Sequence, residues 1–74
     1  MTHADIINLW PSIAEFARDI GAPYETAKAM RRRSSIPAGY WVRVVDSASW
    51  RAFEAVSLSA LAEAAALELK EVVQ

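Results

Sequence analysis

The sequence predicts an all-α fold, a compact bundle of about five short helices. Three observations carry the prediction. Apolar residues recur at three- and four-residue intervals along most of the chain, as one buried face of a helix requires. Cap and stop signals cut that pattern into short segments, with Thr2, Ser12 and Ser57 ahead of helical runs and Pro11, Gly21 and Pro37 between them. Strand-like alternation is absent, and the few β-branched residues do not cluster with turn signals.

The first helix is expected from about His3 to Leu9. Thr2 caps it, and Asp5 three residues later completes a short capping box. Ile6, Ile7, Leu9 and Trp10 form its apolar side, and Pro11 ends it because the residue before a proline is pushed out of the helical region. Ser12 and Glu15 form a second capping box, which opens a helix with Ile13, Phe16, Ala17 and Ile20 on one face. Gly21 stops it, since glycine accepts the positive φ that follows a helix end. A third helix opens at Pro23, turns Ala27 and Met30 inward and ends near Arg33. Residues 34–36 make a loop. Pro37 opens a fourth helix that buries Trp41, Val44, Val45 and Ala48. Residues 49–56 read two ways, as an extension of that helix or as a bend that sets Trp50 and Phe53 on the core. Ser57 caps a last helix, about Leu58 to Val72. All three tryptophans, Trp10, Trp41 and Trp50, are expected in the core of so small a domain.

The domain reading follows. Residues 1–56 make one core and residues 57–74 add a C-terminal helix, giving a single domain overall. A chain of 74 residues buries only roughly 60% of its unfolded surface. It has no cysteine, so neither a disulfide nor a thiolate zinc site supports it. The apolar fraction of 54% exceeds what such a small core needs, which points to self-association. The one histidine, His3, stands near a terminus expected to fray. No nucleophile–base pair, metal-ligand spacing or glycine-rich phosphate loop occurs, so no enzyme, cofactor or metal is expected. Neither a signal peptide nor a membrane span is legible, and a cytoplasmic protein is expected.

Net charge is −1, but its distribution is uneven. Residues 28–43 hold Lys28, Arg31, Arg32, Arg33 and Arg43 with no acid, a net +5, while each flank carries −3. A basic island between acidic flanks marks one face suited to an anion. It lies against the most informative spacing in the chain. The second and third helices are joined by a short glycine-containing turn, and Ala17, Gly21, Ala27 and Met30 stand at the offsets of a helix-turn-helix. Ala17 lets the two helices approach, Gly21 makes the turn, and Ala22 tucks beneath it.

Residues 12–43, from Ser12-Ile13-Ala14-Glu15 through the Arg31-Arg32-Arg33 run to Ile36-Pro37 and Tyr40-Trp41, resemble phage Cro/repressor-type helix-turn-helix proteins. The resemblance covers about half of the chain. It departs at Ala27, where the family usually has Val or Ile, and at Glu25, an acid near the DNA-facing start of the recognition helix. Glu25 reads equally as a partner for cytosine N4 or as a helix-dipole acid.

The resemblance implies a small DNA-binding transcriptional regulator with residues 23–33 in the major groove. It implies that Tyr24, Glu25, Lys28, Ala29 and Arg31 meet bases, and that Ser12, Thr26, Arg32 and Arg33 meet phosphates. Such a module needs two copies to read two half-sites, and the C-terminal helix is the candidate dimer element, the other reading being that it closes the monomer core. Leu58, Leu61, Ala62, Ala65, Leu69 and Val72 form its stripe, with Ala60, Ala64 and Leu67 on a second apolar side. The expected setting is bacterial or phage-encoded, on the nucleoid. Antitoxins, excisionases and phage packaging subunits use the same motif, and a protein-interaction module without DNA binding is the other reading.

Overall fold

The protein is described by a computed structural model that covers the backbone of residues 1–73 and the side chains of residues 1–67. Five α-helices make up the fold, and no strand occurs among the described residues. They are α1 (His3–Ile7), α2 (Ile13–Ile20), α3 (Tyr24–Arg33), α4 (Trp41–Trp50) and α5 (Leu58–Val73). A short 3-10 turn, Ala38–Tyr40, precedes α4. α3 packs on α1 and α2, α4 on α2, and α5 lies across α1 and α4.

The capping chemistry sets the starts. Thr2 and Asp5 make the full reciprocal box, with Asp5 N–H donating to Thr2 Oγ1 and Thr2 N–H donating to Asp5 Oδ2. Ser12 makes only half of one. Its Oγ accepts the Glu15 N–H at 3.1 Å, but the Glu15 carboxylate turns away to Arg51 and Arg18. Ser57 Oγ accepts the Ala60 N–H, as expected of the α5 cap. Pro23 stands just outside α3 rather than opening it, and Pro37 opens the 3-10 turn rather than α4 itself. α1 is two residues shorter than expected. Leu9 and Trp10 N–H groups fold back onto Ile6 and Ile7 carbonyls, the chain having already left the helix ahead of Pro11, and Leu9 is exposed.

Three helices end by one device. Gly21, Ser34 and Ala52 all adopt positive φ, at 69°, 53° and 63°. In each case the next N–H reaches back five residues, Ala22 to Ala17, Ser35 to Met30 and Phe53 to Ala48. The last of these settles residues 49–56. α4 runs to Trp50 and a bend follows, which brings the Phe53 ring to 5.0 Å from the Trp10 ring, edge to face. Trp50 lies on the other side. It is 92% exposed and not in the core, because it falls two residues, about 200° of helix, beyond buried Ala48. Trp41 and Val45 are half-buried at the rim.

The core is built from α1, α2, α3 and α4, with Ile6, Phe16, Ile20 and Val44 fully enclosed. Leu61 and Ala64 of α5 are buried in the same core. His3 is the buried polar side chain among the described residues, packed inside rather than standing at a loose end. Ile36 N–H donates to its Nδ1 at 2.8 Å, and its Nε2 lies 2.9 Å from the Leu61 carbonyl. Since an amide can only donate and a carbonyl only accept, the ring is the neutral Nε2–H tautomer. His3 thus joins α1, the loop after α3, and α5. Trp41 reinforces the joint, donating Nε1–H to the Ile36 carbonyl at 2.7 Å.

Candidate nucleic-acid interface

The α2–α3 unit has the inward residues that its spacing requires. Ala17, Ala27 and Met30 are buried, and Ala22 packs against the core as a half-buried residue. Ala27 leaves no surface open despite its small size. Gly21 is fixed twice over. Its φ of 69° disfavours a side chain, and an added Cβ would come within 3.3 Å of Arg43 Nη1. That same Arg43 nitrogen donates to the Ile20 carbonyl at 3.1 Å, so Arg43 clamps the turn and stands apart from the arginines of α3.

The outer side of α3 is polar and basic. Tyr24, Glu25, Lys28, Arg31, Arg32 and Arg33 are exposed, while Thr26 and Ala29 are half-buried. Lys28 Nζ stands 5.9 Å from the centroid of the Tyr24 ring one turn earlier, within cation–π range. None of the α3 cations forms a salt bridge among the described residues. Three arginines in the last turn suit the negative end of the helix dipole and leave their guanidinium groups in water. Ser12 is exposed at the start of α2, its oxygen already accepting the Glu15 N–H and its own hydrogen available to an anion.

A second polar cluster was not legible in the sequence. Asp19 Oδ2 accepts three hydrogen bonds, from Arg51 Nε–H at 2.6 Å, Trp10 Nε1–H at 2.9 Å and the Ser47 hydroxyl at 3.3 Å. Arg51 also donates to Glu15 at 3.1 Å. The Arg51 guanidinium, foremost, holds the Asp19 carboxyl below its ordinary range, and Asp19 in turn raises Arg51. This pairing consumes the carboxylates of α2 in holding α4.

The expected dimer stripe divides. Leu58 and Ala62 are exposed and Ala65 is half-buried, but Leu61 is fully buried in the protein's own core and faces no partner. Of the second side, Ala64 is buried as well, while Leu67 is exposed and Ala60 half-buried. The side chains of Leu69 and Val72 lie outside the described residues. No group of metal-ligating side chains is brought together among the described residues, and no helix there is long and apolar enough to cross a membrane. Comparison of the chain with protein-family models, with curated proteins and with solved structures finds no match, so the Cro/repressor resemblance rests on the residues of the motif themselves.

Proposed function

We propose that the protein is a sequence-specific double-stranded DNA-binding regulator of the Cro/repressor type, acting on the nucleoid in the cytoplasm as a homodimer. The observation that carries this reading is the pairing of α2 with α3. A tight left-handed turn at Gly21 seats α3 on Ala27 and Met30, and leaves Tyr24, Glu25, Lys28 and Arg31 on an exposed face. A helix so presented fits the major groove, about 12 Å wide in B-DNA.

The division of labour follows from side-chain chemistry. Lys28 donates to guanine O6 or N7, Ala29 touches a thymine methyl, and Tyr24, Glu25 and Arg31 face the remaining base edges. Ser12, Thr26, Arg32 and Arg33 grip phosphates and fix register. Each neutralised phosphate releases counterions, so affinity falls steeply with salt.

The test is capture of genomic fragments by the tagged protein. Enrichment of a short inverted repeat, with half-sites one helical turn apart, is the expected result. Folded, expressed protein that enriches no sequence would overturn the proposal and favour a protein-interaction module.

A further inference from the structure

The largest exposed apolar side chain among the described residues is Trp50, and it stands beside a hollow. A cleft of about 540 Å³ is lined by Asp19, Arg43, Asp46, Ser47, Arg51 and Trp50 itself. Four of these, Arg43, Asp46, Ser47 and Trp50, fall at i, i+3, i+4 and i+7 of α4, on one face of the helix. An indole left 92% in water is unusual for a small domain whose other tryptophans are buried or half-buried.

We infer that a second copy of this chain covers this face, each copy seating its Trp50 in the cleft of the other. The inference deepens the proposed DNA reading, which needs two copies, and rests on it for that need. Its own support is that knob and hollow share one face. A two-fold interface requires a patch that is complementary to itself. A two-fold axis through the midpoint between Asp46 and Ser47 runs the two α4 helices antiparallel. It sets Arg43 of one copy opposite the partner's Trp50, and the reverse.

The chemistry of the hollow suits the knob. Arg43 and Arg51 line it with guanidinium groups already held in place, Arg43 by the Ile20 carbonyl beside the Tyr40 ring and Arg51 by Asp19 and Glu15, and indole is the best of the aromatic rings for holding a cation over its face. Asp46 makes no ion pair among the described residues and lies beside the axis, at the edge of the contact. Arginine and tryptophan seated in pockets are the residues that dominate interfaces. Two buried indoles contribute roughly 300–500 Å² at the centre of the contact. Leu61 of α5, by contrast, is spent inside the monomer.

The experiment is sedimentation of the full chain without DNA, over a range of concentration, for the natural sequence, Trp50→Ser and Leu58→Ser. Trp50 is exposed, so the variant is expected to keep its helical circular dichroism and melting temperature. The natural sequence and Leu58→Ser are expected to dimerise. Trp50→Ser is expected to weaken the dimer at least ~30-fold, the loss that a hot-spot residue carries. A natural chain that stays monomeric, or a Trp50→Ser variant that dimerises as well as the natural chain, overturns the inference. DNA capture by a protein monomeric throughout overturns this interface alone. A Trp50-dependent dimer that captures no DNA supports the interface and overturns only the DNA reading.

Discussion

Lys28 and Arg32 lie one turn apart on the exposed side of α3, and their positions along the helix separate the roles proposed for them. Lys28 belongs to the middle of the helix, over the Tyr24 ring, whereas Arg32 is in the last turn among three arginines. Lys28→Ala is expected to cost about 1–3 kcal/mol on the preferred site and to relax base preference at one position. Arg32→Ala is expected to weaken all sequences alike and to lower the salt slope by about 1. Titrations of the operator and of scrambled DNA at several salt concentrations check both, and equal loss of specificity from the two changes would remove the assignment. These residues were legible because outward positions on a short helix follow from its period. His3 was not. Its partners, Ile36 and Leu61, are 33 and 58 residues away, and no local pattern announces a histidine that spans such distances. Trp50 was misplaced because size and hydrophobicity argue for burial, while the helical register that turns it outward depends on where α4 stops.

The helix ends show how local chemistry and tertiary demand divide the work. Three helices close with a positive-φ residue, yet only α2 uses glycine there. Gly21 was therefore readable, and the ends at Ser34 and Ala52 were less so, since neither residue type favours that conformation. Ser34 has compensation, because its hydroxyl accepts the Ala4 N–H at 3.1 Å and ties α3 to α1. Ala52 is exposed and shows no such compensation. A non-glycine residue in the left-handed region costs roughly 1–2 kcal/mol, and the greater freedom of glycine in the unfolded chain offsets about 0.4–1 of it. Ala52→Gly is thus expected to stabilise the protein by a few tenths to about 1 kcal/mol, a rise of up to ~8 °C in Tm for a domain of this size. Thermal unfolding followed by circular dichroism measures it, and a lower Tm would mean that the bend at Ala52 carries no strain. The partial box at Ser12 has the opposite lesson. Its sequence was right for two bonds, but Glu15 serves Arg51 instead, a competition visible only once α4 is laid on α2.

At the scale of the whole molecule, the all-helical bundle was legible from period and punctuation, while the bonds that tie distant helices together were not. α5 illustrates the difference. It was readable as a helix that either pairs two copies or closes the core. Leu61 and Ala64 do complete the monomer core and the Leu61 carbonyl meets His3, so removing α5 is expected to damage the fold itself. The Asp19–Arg51 pair ties α2 to the end of α4 in the same long-range way, and it gives the fold a dependence on acid. With its carboxyl lowered by Arg51, Asp19 contributes stability that is fully present above the ordinary carboxylate pKa of about 3.9. That contribution is lost as pH falls through the lower folded value. Asp19→Asn keeps an oxygen for Trp10 and Ser47 but loses the charge that Arg51 meets at 2.6 Å. The variant is expected to be less stable by about 1–2 kcal/mol at pH 7, the low end for a hydrogen bond to a charged group because the pair is partly open to solvent. The gap should close in acid, where the protonated Asp19 carboxyl and the amide that replaces it are both neutral acceptors. Urea unfolding of both proteins at pH 7 and across the acid range reads it directly. A gap that persists once Asp19 is protonated would assign the loss to side-chain packing rather than to charge. A gap that closes would establish that this carboxylate is committed, through its charge, to holding α4 in place.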